Sequence, residues 1–187
     1  MRAPDSMPVP LSRRPLDVAL LAFFAVNLCF TTYVVSLEQI VIADPFEYTA
    51  PLWPPGPLLD LVHWWEKTYD PLLLARPAWY RATIWLDVLL FGPFYAVALY
   101  AFVRGRDWIR TPCIVWASVL STNVVIILFD ELFGTHATPA PAVVIAANAP
   151  WLIVPWIVVW RVLRSPHPFT TAPAAAGPPR PGRLGPR

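Results

Sequence analysis

Four long apolar runs, divided by segments rich in proline, arginine and acidic residues, organise this chain. The first extends from Leu16 to about Ala43 and ends at Asp44-Pro45, because the residue before a proline avoids the helical region. The second runs from about Tyr80 to Val103 and contains Gly92-Pro93, where the missing proline N–H frees the carbonyl of Leu89 and predicts a kink. The third runs from about Thr111 to Phe129, with Pro112 in its first turn. The fourth runs from about Ala142 to Leu163 and is interrupted by Pro150 and Pro155. About 20 apolar residues in a helix cross a bilayer. The pattern therefore predicts an all-α membrane protein, a bundle of four transmembrane helices kinked in the second and fourth. Between the first two spans, Leu58 to Tyr69 sets Leu58, Leu61, Val62 and Trp65 on one face at helical spacing. That stretch is expected at the membrane interface, where Trp and Tyr concentrate.

The domain organisation follows: a disordered N-terminus over residues 1–14, a membrane domain over 15–164, and a disordered Pro/Ala/Arg-rich tail over 165–187. Composition agrees with a polytopic membrane protein. Hydrophobic residues make up 57% of the chain and charged residues 14%, where a soluble domain carries about 25% charge. The run after Arg13 and Arg14 is longer than a signal-peptide core and lacks a convincing cleavage site, so it reads as a retained helix. Cys29 and Cys113 both fall in apolar runs and read as small packing residues rather than a disulfide. No paired Cys/His spacing suggests a metal, no cofactor is implied, and a net charge of +2 without a basic-aromatic patch gives no reason to expect nucleic acid.

The charges set an orientation. Eleven basic residues lie in the N-terminus, the loop after the second span and the C-terminus, against Lys67, Arg76 and Arg81 in the other two loops. The positive-inside rule then places both termini in the cytoplasm and the Trp-rich loop outside. The abundance of Arg, Ala and Pro suits a GC-rich bacterial genome, hence the plasma membrane; a eukaryotic chain of this kind would sit in the endoplasmic reticulum.

Asp87 falls within the apolar run Ile84–Phe91, where a carboxylate costs roughly 2.5 kcal/mol or more on insertion scales. Glu38 lies near the end of the first span, and because the two spans are antiparallel both acids come roughly 8 Å below the outward helix ends. Either acid can instead snorkel to the interface or pair with Arg81 or Lys67. Asn27, Thr31, Thr32, Ser36, Ser118, Ser121, Thr122, Asn123 and Asn148 add polar groups within the spans. Such residues commonly bond across helices, and with the two acids they would also line a polar-edged cavity. Aromatic walls, with Phe91, Trp116 and Trp151 as candidates, and an acid within would suit a hydrophobic cation or a positive charge developing on an apolar substrate.

In these motifs the chain resembles the EXPERA-domain family, which holds the emopamil-binding sterol isomerases and the sigma-2 receptor. Tyr69-Asp70-Pro71-Leu72, Pro77-Ala78-Trp79-Tyr80, Asp87, Pro93-Phe94, Tyr100-Ala101-Phe102, Trp108-Ile109-Arg110-Thr111-Pro112 and Ala149-Pro150-Trp151 follow the order of the sigma-2 branch. The resemblance implies a helical bundle around a hydrophobic cavity whose carboxylates meet cationic ligands. It assigns Asp87 to the helix 2 acid, Asp70 and Gln39 to support of the site, and Glu38 to the helix 1 acid. Where family members carry Asp-Leu-Gln, however, this chain has Ser36-Leu37-Glu38-Gln39. Phe91 and Trp116 replace a Gln and a Tyr of that branch. The expected ligand contacts are then Asp87, Glu38, Phe91, Trp116, Thr122, Asn123 and Trp151.

Two functions fit. One is binding of sterol-like or terpenoid lipids and cationic amphiphiles. The other is double-bond isomerisation through a carbocation, with Glu38 and Asp87 as catalytic acids. The His and Glu residues that the isomerase branch uses are missing from the spans, which favours binding. A proton-coupled transporter is a weaker third reading, since the chain has no internal repeat. The expected partners are a hydrophobic small molecule or lipid and the bilayer, with a homodimer left open.

Overall fold

A computed structural model describes residues 7–170. Helix α1 spans Pro15–Val41, α2 Gly56–Tyr69, α3 Pro71–Ala75, α4 Ala78–Val103, α5 Arg110–Phe133 and α6 Pro141–Leu163. Four of them, α1, α4, α5 and α6, are long and apolar enough to cross a membrane. The chain is a multi-pass, all-α membrane protein.

The expected irregularities take particular forms. In α4 the backbone forms a π-helical turn over Asp87–Phe91, closed by the Gly92 N–H donating to the Asp87 carbonyl just before Pro93. A longer π-helical segment, Asn27–Ser36, occupies the middle of α1. Such turns shift the register of everything that follows and recur at functional sites. Helix α6 continues through Pro150 and Pro155 as one α-helix. Neighbouring helices and local adjustments commonly absorb prolines in membrane spans. Helix α5 extends past Phe129 to Phe133, so Asp130 and Glu131 are helical rather than part of a loop.

The half of the bundle nearer the termini is an aromatic core. Phe24 meets Phe102 and Trp116 edge-on, with ring centroids 5.3 and 5.6 Å apart, and Phe94 stacks on Trp116 at 4.9 Å. Cys113 is buried there, whereas Cys29 is exposed on α1 and packs no core.

Residues 7–14 and 165–170 of the flanking segments contact the bundle; residues 1–6 and 171–187 lie outside the described residues. The Val9 N–H donates to the Phe169 carbonyl, 2.9 Å, joining the segment before α1 to the segment after α6. Arg14 and Arg161 both hold the fully buried Asp17, each with a contact at 2.8 Å, and both guanidinium groups lie over the Phe169 ring. Charged contacts and cation–π stacking thus clasp α1 to α6 at the end of the bundle where the termini meet. Further along the same helices, Trp151 Nε1 donates to Asn27 Oδ1 at 2.6 Å.

Candidate functional site

At the other half of the bundle, α1, α2, α4, α5 and α6 surround a cavity of about 530 Å³. Exposed Val26, Leu61 and Trp64 and half-buried Phe30, Ala147 and Asn148 are among its lining residues. The mouth therefore lies between α1 and α6, beneath α2. Most of the wall is apolar, including Phe91, Tyr95, Ile127 and Trp151.

Asp87 reaches this cavity from the first π-helical position of α4. Thr32 Oγ1 donates to its Oδ1 at 3.2 Å and Ser36 Oγ to its Oδ2 at 2.6 Å. These two hydroxyls share one face of the π-helical part of α1. Gly92 permits the approach: a Cβ there would come within 2.8 Å of Thr32 Cγ2. Two neutral donors hold the carboxylate, and no Lys, Arg or His lines the cavity among the described residues. The arrangement suits a cation arriving from outside.

At the other end of the cavity lie Asp70 and Glu131, 8% and 2% exposed. Asp70 ends α2 and caps α3, accepting from the Leu73 N–H at 2.9 Å. Burial pushes its carboxyl above the ordinary range, against hydrogen bonds from Leu73, Trp65 and Glu131 that act the other way.

Glu38 is not in the cavity. It is fully buried on the far side of α1, where Arg76 Nη2 lies 2.8 Å and His63 Nε2 2.9 Å from its Oε1. Two residues along a helix turn the side chain by about 200°. With Ser36 facing Asp87, Glu38 must face α2 and α3. The same Arg76 nitrogen lies 3.2 and 3.3 Å from the two Glu66 oxygens, and Gln39 Nε2 donates to Glu66 Oε1 at 3.1 Å. Burial, then the neighbouring Glu38 charge, push the Glu66 carboxyl up to about 8, with Arg76 opposing. Arg76 also donates to the carbonyls of Ile42 and Leu73 and closes α3 in the left-handed region, φ 50°. The partners expected for Glu38, Arg81 and Lys67, are replaced by Arg76 and His63.

Of the residues expected at the site, the cavity thus brings together Asp87, Phe91, Asn123, Trp151 and Asp70. Trp116 lies outside it, in the aromatic core. Thr122 is exposed on the outer surface of α5, its hydroxyl bonded back to the Ser118 carbonyl at 2.9 Å. Glu38 and Gln39 belong to the Arg76 cluster. Glu131, Tyr80 and Tyr95 line the cavity without having been expected there. A signal for Glu131 existed: Asn123, Ile127 and Glu131 recur every fourth residue, which places them on one helical face.

The family model for EXPERA (EXPanded EBP superfamily) matches residues 57–162. The chain belongs to this superfamily. The matched segment carries every spanning helix except α1. Among curated EXPERA relatives, the sigma intracellular receptor 2 of Macaca fascicularis is 27% identical over 175 residues, covering 86% of this chain and 94% of the relative. The Homo sapiens protein of that name is 26% identical over the same coverage. The Xenopus tropicalis one is 33% identical over 124 residues, 60% of this chain and 72% of the relative.

Proposed function

We propose that this EXPERA protein binds sterol-like or terpenoid amphiphiles carrying a protonated amine, with the amine on Asp87. The supporting observation is a carboxylate held by Thr32 and Ser36, with no cationic side chain, inside an apolar cavity of about 530 Å³. The hydroxyls hold the carboxylate in place and a bound ammonium would supply the charge they lack. The similarity to proteins named as intracellular receptors agrees with a binding role.

The isomerase reading assigns Glu38 and Asp87 to one substrate. Glu38 is engaged by Arg76 and His63 outside the cavity, so that pair does not meet there, which weighs toward binding; the other cavity acids, Asp70 and Glu131, lie at the far end from Asp87. The arginine distribution supports both termini in the cytoplasm, so the cavity half of the bundle lies toward the outer leaflet.

Asp87→Asn keeps the side-chain shape and removes the charge. A charged hydrogen bond contributes roughly 1.5–3 kcal/mol, so affinity for an amine-bearing amphiphile should fall at least about tenfold, measured by displacement of a labelled ligand from purified protein. Unchanged affinity assigns Asp87 to structure. Turnover of a sterol or terpenoid alkene, lost in Asp87→Asn, establishes the isomerase instead.

A further inference from the structure

The cavity has a second polar end that an amine on Asp87 leaves unused. There Glu131 is 2% exposed, and its Oε2 is buried with no hydrogen-bond partner among the described residues. A buried carboxylate oxygen of this kind is costly to leave unpaired. Asp70 is committed to Leu73, Trp65 and the other side of the carboxyl pair. Arg76, on the adjoining segment, is taken up by Glu38, Glu66 and two backbone carbonyls.

The two ends are well separated. Tyr80 lies in the field of Asp70 and Glu131 first and of Asp87 last, and Asp87 follows it seven residues later on the same helix. At the helical rise this is about 10 Å. The wall between is apolar, with Ile84, Val124 and Ile127 contributing. A ligand with one polar group satisfies one end only.

We infer that the cavity is built for a two-ended amphiphile: an elongated alicyclic lipid with a cationic nitrogen at Asp87 and, about 10 Å away, a hydroxyl that donates to Glu131 Oε2. This rests on the amine contact proposed for Asp87. Oε2 has no donor of its own among the described residues, which leaves it as an acceptor.

The test uses a matched pair of probes on the full-length purified protein: a steroid with an amine on ring D and a hydroxyl on ring A, and its analogue without the hydroxyl. The hydroxylated probe should bind wild type about tenfold more tightly, the scale of a hydrogen bond to a charged acceptor. In Glu131→Met that preference should collapse to near unity while the deoxy probe keeps its affinity, which also reports an intact fold. Asp87→Asn should weaken both probes alike. Equal binding of the two probes to wild type overturns the inference, as does a preference that survives Glu131→Met. If Glu131→Met folds poorly, the wild-type comparison decides alone. If neither probe binds wild type, the reading of Asp87 has failed, and this inference with it; deoxy binding without preference removes only the second end.

Discussion

The cavity and the Arg76 cluster bury acids equally well and treat them differently. Glu38 and Glu66 are 0% and 1% exposed, Glu131 and Asp70 2% and 8%. The first two share Arg76; Glu38 also has His63, and Glu66 has Gln39. The cavity acids have only hydroxyls, a backbone N–H, an indole and each other. Burial alone therefore does not mark a binding acid. The distinguishing feature is whether the protein itself supplies the opposite charge. Where it does, the acid fastens helices; where it does not and a cavity adjoins, the acid is open to a ligand, as proposed for Asp87. Asp17, clasped by Arg14 and Arg161, falls with the fasteners.

The largest effect should come from removing the cation that makes the cluster structural. Arg76→Met leaves two buried acids opposing each other and releases the carbonyls of Ile42 and Leu73. Breaking a buried ion pair from one side costs about 3–5 kcal/mol, so the variant should be recovered poorly or melt far below wild type in detergent. Adding Glu38→Gln and Glu66→Gln should restore much of the loss. Wild-type stability in Arg76→Met alone would erase the distinction between the two regions.

A smaller effect follows from pH. One arginine facing two acids favours a proton on Glu66, whose carboxyl is pushed from 4.5 up to about 8. The folded protein then binds more protons than the unfolded chain between those values, so stability falls as pH rises from about 4.5 through about 8. The melting midpoint should drop by at least ~2 °C between the acid and alkaline sides of that window. Glu66→Gln, neutral throughout, should flatten this part of the profile. An unaltered slope in the variant would place the titration elsewhere.

Much of the fold was legible because bilayer thickness is a strict ruler: four apolar runs of sufficient length leave little choice. Span ends were harder, since Asp130 and Glu131 read as loop residues by charge yet continue α5 to Phe133. Asp87 was legible from its insertion cost. The partner of Glu38 was not, because the π-helical segment of α1 changes which residues share a face, and nothing in Asn27–Ser36 announces that winding. Arg76 was counted as an outward loop charge, since its burial depends on the turn between α3 and α4. Aromatic residues were the least legible. Trp116 and Trp151 both sit in apolar runs with period 3.6, and only the packing sends one to the core and the other to the cavity.

The finest version of the comparison lies in two adjacent residues of α5. Thr122 and Asn123 are both polar and both fall within a span, so sequence alone gives them equal weight. One residue turns a helix by about 100°, and here that turn separates the membrane side from the cavity. Thr122 is exposed, and its hydroxyl already bonds the Ser118 carbonyl one turn back. Thr122→Val keeps the branched shape and removes a local bond that adds little to a helix. Stability and amine affinity should both stay within about 0.5 kcal/mol of wild type, as for substitutions remote from packed or paired groups. Asn123 lines the cavity, and Asn123→Leu removes an amide from a wall with few polar groups. Amine affinity should change by about threefold or more, within the range of a typical net hydrogen bond, while the melting midpoint moves little. If binding responds to Thr122→Val and ignores Asn123→Leu, α5 presents its other face to the ligand and the cavity described above is not where the amphiphile binds.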